Sequence, residues 1–174
     1  EEVIAFGKNA AKSLGMSTNE ALTAAGTYGN LLRSMELSNE ESAKMSTTMV
    51  QLAGDLASFN NVPVEDALSA IRSGLVGENE PLKRFGVNLN EASLKAKALA
   101  MGLYSGKGAI TAAAKAQAAY QIILEQTSLA QGDFSRTSEG LANSQRVLGA
   151  SLENVRATIG TALLPVIANL MGKL

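Results

Sequence analysis

Apolar positions along the chain recur three and four residues apart, segment after segment, which is the spacing of one face of a helix. Val3, Ile4, Ala10, Ala11 and Leu14 form the first such stripe, and Gly15 suits the left-handed residue that ends a helix. "STNE" then sets Ser17 three residues ahead of Glu20, the pairing in which each side chain satisfies the other's backbone N–H. That helix runs toward Arg33. "SNEE" repeats the device with Ser38 and Glu41, opening a helix with Met45, Met49, Leu52 and Leu56 on one stripe and an end near "SFNN". Pro63 fits the start of a fourth helix, with Glu65 and Asp66 on the favourable side of its dipole and an end near Gly74.

The stretch "GLVGENEPLKRFG", residues 74–86, reads as a corner. Gly74 and Gly77 are the expected stops of the fourth helix. Pro81 begins a short turn that points Leu82 and Phe85 inward, and Gly86 ends it. "VNLN" alternates like a strand but is too short to build a sheet, and Asn90 caps a helix over Glu91 to about Met101. "GLYSGKGAIT" is a glycine-rich connection. Thr111 or a neighbour then starts an Ala-rich helix through "AAAKAQAAYQIILEQTSLA", and "QGDFSRTS" is a break. From Ser138 a helical pattern continues almost to the end, with Pro165 as its candidate kink. The fold class expected is all-α: a compact multi-helix bundle over residues 1–136, then a long amphipathic helix over 137–174 that continues beyond the chain.

In that last helix Leu141, Leu148, Leu152, Val155, Ile159, Ala162 and Val166 follow a 3-4 spacing that Gln145 interrupts, the seam of helix-on-helix packing. The helix is either a cover on its own bundle or a rod that associates with copies of itself. Both readings bury this face. The pattern runs on toward Leu174, so packing within the chain should run out and leave "LLPVIANLM" exposed, with self-association the expected result.

Composition removes whole classes of chemistry. The 174 residues suffice for one domain with a core, and they include no His and no Cys. Imidazole and thiolate metal sites, Ser-His-Asp and Cys-His catalysis and disulfides are therefore excluded. A net charge of −1 attracts neither nucleic acid nor an anionic membrane as a whole. The first residues lack an initiator Met and a basic leader, so the chain reads as an internal piece of a longer protein. "IGTALLPVIANLM" is too short to span a bilayer.

Two candidate sites fail on their own terms. "GLYSGKG" lacks the phosphate-loop spacing: three residues, not four, separate Gly102 from Gly106, and Gly108 stands where the hydroxyl after Lys107 belongs. Glu78 and Glu80 could be drawn as a glycosidase pair, but carboxylates two apart in a turn are solvated charges. Lys83, Arg84, Lys95, Lys97 and Lys107 are interspersed with Glu78, Glu80 and Glu91, a salt-bridged polar face more than a nucleic-acid contact. No catalytic, cofactor-binding or metal-ligating residue is assigned, and no enzyme activity is expected.

The phrases "DLASFN", "GLVGENEPLKRFGV", "AQGDFSRTSEGLANSQ" and "GTALLPV" occur here in order. On them the zone from residue 40 to 168 resembles the core region of tailed-phage and prophage tail tape measure proteins, with "AAKSLGMSTNEALTAAGTYGNLL" fitting the part upstream. The resemblance implies a largely helical virion-assembly protein. Such a protein is held by tail chaperones, lies in the lumen while tail-tube subunits polymerise around it, sets tail length, and leaves ahead of the genome. It also implies synthesis in the bacterial cytoplasm and a final place in the virion tail. The reading of a different class is an all-α interaction module of a bacterial membrane-associated or secreted complex.

Overall fold

The computed structural model describes residues 2–171, and of Val166 and Leu170 the backbone alone. Nine α-helices and no strands are present among the described residues: α1 (Glu2–Leu14), α2 (Thr18–Ser34), α3 (Asn39–Asn60), α4 (Val64–Leu75), α5 (Glu80–Lys83), α6 (Glu91–Ala100), α7 (Ala112–Gln126), α8 (Asp133–Arg136) and α9 (Leu141–Met171).

Local chemistry explains most of the boundaries. Both reciprocal caps form, Ser17 with Glu20 at the start of α2 and Ser38 with Glu41 at the start of α3. Asn90 and Thr111 cap α6 and α7 by accepting the N–H groups of Ser93 and Ala114. Gly15 closes α1 with φ +65°, and Asn61 takes the left-handed conformation after α3. Pro63 is the residue before α4, with Glu65 and Asp66 in the first turn.

α3 is the central element. It packs on α1, α2, α4 and α8, and Met49, Val50, Leu52, Ala53, Leu56 and Ala57 are all buried, well beyond the single stripe of a surface helix. α6 and α7 form a hairpin that reaches the core through α7 against α4. The segment 87–90 remains extended without pairing. Val87 and Leu89 turn inward and Asn88 and Asn90 outward, so its alternation is real while its sheet is absent. In the corner, Leu82 and Phe85 are buried, and Gly77 and Gly86 hold φ of +95° and +78°.

Four expectations are corrected. Gly74 does not stop α4; it lies inside the helix, where an added Cβ would come within 2.1 Å of Leu82 Cδ1. It is glycine so that Leu82 can sit on the helix backbone. α7 ends at Gln126, four residues early, because Thr127 turns its hydroxyl back to the Ile123 carbonyl and tight turns follow. The last helix starts at Leu141, since residues 138–140 are spent in a turn closed by Gly140 N–H on Thr137 O. Finally, the bundle does not bury the seam: Leu141, Leu148, Leu152, Val155 and Ile159 are all between 50% and 76% exposed. Ala162 is exposed too, and the side chain of Val166 lies outside the described residues.

Candidate functional site: the two faces of the last helix

α9 has 31 residues, about 46 Å at 1.5 Å per residue, and stays helical through Pro165. Of its described side chains only Asn143, Arg146, Val147, Ala150, Asn154 and Ala157 are other than exposed. At about 100° per residue these six share one side of the helix, and Leu148, Leu152, Val155 and Ile159 lie roughly 130–170° around from its middle. The bundle therefore holds the polar and small face, leaving the apolar one in water.

The holding contacts are mostly hydrogen bonds to helix ends. Arg146 Nη2 donates to the carbonyls of Ala57 and Val62 at 3.3 and 3.2 Å, at and just past the C-terminal end of α3, where a cation is favoured; the Ala57 carbonyl also accepts the Val62 N–H. Asn154 Oδ1 accepts the N–H of Thr18 at 2.8 Å, one of the free donors at the start of α2. Asn143, nearly fully buried, donates to Ser58 Oγ at 2.7 Å and Thr137 Oγ1 at 2.9 Å, and its Oδ1 accepts from Arg146. Gly15 gives α9 its close approach: an added Cβ would stand 2.6 Å from Arg146 Cβ and 3.0 Å from the ring of Phe134.

Beneath this layer lies Asp55, 3% exposed on α3. Its two oxygens accept the N–H groups of Gly132 and Phe134 at 2.9 and 3.1 Å, which fixes the start of α8 and seats the buried Phe134 ring. Ser58 Oγ donates to Asp133 Oδ2 at 2.6 Å and joins this pair to Asn143. Burial pushes the Asp55 carboxyl above its ordinary range and the neighbouring Asp133 adds to that, against the pull of Gly132, Phe134 and Gln51.

The other places of interest carry less. Glu78 and Glu80 are exposed in the corner, with Glu80 paired to Lys83. The glycines of "GLYSGKG" lie in an exposed loop that Tyr104 ties down through Gly108 O at 2.9 Å. Lys95 and Lys115 both reach Glu91, Lys97 reaches Glu125 and Arg84 reaches Asp66, so much of the mid-chain basic enrichment faces carboxylates. A cleft of about 500 Å³ lies between α2 and α4, floored by Met16, Ala24, Val64 and Leu68, with the buried Tyr28 hydroxyl bonded to Leu68 O at 2.6 Å. Among the described residues no three His, Cys, Asp or Glu side chains gather as a metal site. No described helix is long and apolar enough to cross a membrane.

The chain was compared with known protein families, with curated proteins and with solved structures. Nothing matches.

The docking residues of α9 escaped the sequence reading, although a signal was present. Asn143, Val147, Ala150, Asn154 and Ala157 also repeat at 3-4 spacing, in register with one another and out of register with the leucines. A small and polar stripe opposite an apolar one marks a helix that meets two different surfaces.

Proposed function

We propose that this chain is a core segment of a phage tail tape measure protein, a structural virion-assembly protein that sets tail length inside the tail tube and departs with the ejected genome. The observation carrying the reading is the ordered set of phrases at residues 55–60, 74–87, 130–145 and 160–166. The all-helical architecture suits it, because an extended helix converts residue count into length at about 1.5 Å per residue. In this reading residues 1–136 are a compact helical domain and 137–174 begin a rod that continues beyond the chain. The partners are tail-tube subunits, tail chaperones and other copies of the protein, gathered through the apolar face of α9.

In-frame deletion tests the ruler. Removing four heptads from the long-helix region should shorten tails by about 42 Å, as measured by electron microscopy. Viable tails of unchanged length would remove the ruler role from this segment. The uncharged run from Ala157 to Met171 favours the second reading, an all-α interaction module of a bacterial membrane-associated or secreted complex. Neighbouring secretion genes in place of tail-tube and chaperone genes would select it.

A further inference from the structure

Over its docked part, Asn143 to Ala157, α9 keeps its bundle on one side and Leu148, Leu152 and Val155 on the other, so the second face can be covered without releasing the first. We infer that the cover is a second copy of this chain, with the two α9 helices packed parallel and in register, and the two bundles projecting outward on opposite sides.

Size supports a copy as the occupant. Leu148, Leu152, Val155 and Ile159 are 50–61% exposed, and Leu163 beside them is 49% exposed. Two helices in contact along the whole of α9, about four heptads in which these residues fill the middle two, cover roughly 1,500 Å², the size of a specific stable interface. No Asp, Glu, Lys or Arg stands between Ala157 and Met171, so nothing charged enters the contact from that half.

Charge and polar placement set the direction. In parallel register each seam residue meets its own copy: Gln145 faces Gln145, and Leu148, Leu152, Val155 and Ile159 stack as one apolar run. A polar pair within such a seam fixes register. Arg156, flanking the seam, then stands across from Ser151. The antiparallel register that matches Gln145 with Asn169 sets Arg156 against Arg156. Sliding it by one heptad relieves the charges but places Gln145 against Ala162, with no polar partner. Gly149, whose absent Cβ atom would meet nothing within the chain, flanks the seam and allows close approach of a neighbour.

This deepens the self-association proposed above and is independent of tail length: cross-linking in solution tests the pairing alone, whereas the deletion series tests the ruler alone. The chain contains no cysteine, so introduced ones report without background. Leu148→Cys, Leu152→Cys and Ile159→Cys are placed singly in the 174-residue chain, all at exposed positions, with circular dichroism to verify folding. Leu129→Cys, 82% exposed on the bundle, serves as the collision control. Under mild oxidation each seam variant should form a disulfide-linked dimer at least tenfold faster than Leu129→Cys, and unmodified chain should sediment as more than a monomer. Dimers that form only on mixing Leu148→Cys with Ile159→Cys, or Leu152→Cys with Ala162→Cys, would overturn the parallel arrangement. Linking no faster than the control, or a monomer at high concentration, would overturn the pairing itself.

Discussion

Asp55→Ala is the substitution that most directly tests how α8 and α9 are held. It removes the acceptor of two backbone N–H groups, those of Gly132 and Phe134, and the second of these is buried. Hydrogen bonds to a charged group contribute about 1.5–3 kcal/mol each. Against them stands the cost of keeping a carboxylate in a site from which water is excluded, and that cost is large enough to raise the Asp55 pKa. The net loss should be about 2–4 kcal/mol, mostly from the orphaned donors. For a chain of this size that is a fall in melting temperature on the order of 5–15 °C. The pH dependence follows from the direction of the shift. A carboxyl whose folded pKa is raised contributes stability that is fully present below its unfolded pKa, about 3.9, and is lost as pH rises through the folded value. The advantage of the native chain over Asp55→Ala should therefore be larger below that window than above it. Urea titrations at a series of pH values measure both quantities. A loss under about 0.5 kcal/mol, or an advantage that grows with pH, would refute the account of Asp55 as a desolvated clamp.

Gly77→Val and Gly86→Val should each cost about 1 kcal/mol or more, because a β-branched residue at positive φ is strained even where space is open, as it is at both sites. Gly74→Ala should cost at least as much for a different reason, the collision with Leu82, and thermal melts that rank all three as neutral would remove the tight-corner explanation. Tyr28→Phe should lose about 1 kcal/mol, the net worth of the hydrogen bond from its hydroxyl to the Leu68 carbonyl. Burial raises the Tyr28 pKa, so the native chain should lose stability as pH rises past the unfolded tyrosine value of about 10, and Tyr28→Phe should blunt that loss.

What could be read from the sequence was local. Ser17 with Glu20, Ser38 with Glu41, Asn90, Thr111 and Gly15 each act within three or four residues of their partners, and each sits where its pattern indicated. Features that depend on what packs against a helix could not be read the same way. Gly74 carries the same signal whether it ends a helix or lets Leu82 lie on it, and only the fold of the corner distinguishes the two. Asp55 looks like one more polar residue in "AGDLAS" until α8 brings two N–H groups to it. The spacing of the α9 leucines marks a buried face because burial usually selects apolar residues, yet the end of α3 and the free N–H at the start of α2 selected Arg146 and Asn154.

That inversion separates two properties that an ordinary amphipathic helix ties together. Where a helix covers its own bundle with its apolar face, an Asp on that face destabilises the fold and any association at once. Here the docking face and the apolar face are distinct sets of residues, so the two effects should come apart. Ile159 and Leu163 are 55% and 49% exposed and lie beyond Ala157, the last half-covered residue among the described side chains. Replacing both with Asp should change the stability of the bundle by no more than about 0.5 kcal/mol, the usual range for surface positions. The same pair of charges placed in a contact between copies would be desolvated and opposed to its own image, and the association should be lost. Light scattering should report a monomer for Ile159→Asp, Leu163→Asp at concentrations where the native chain is larger, and melting curves should superimpose once both are dilute enough to be monomeric. A double variant that melts well below the native chain would mean that the distal part of α9 does fold onto its own bundle, and the separation of faces would be wrong.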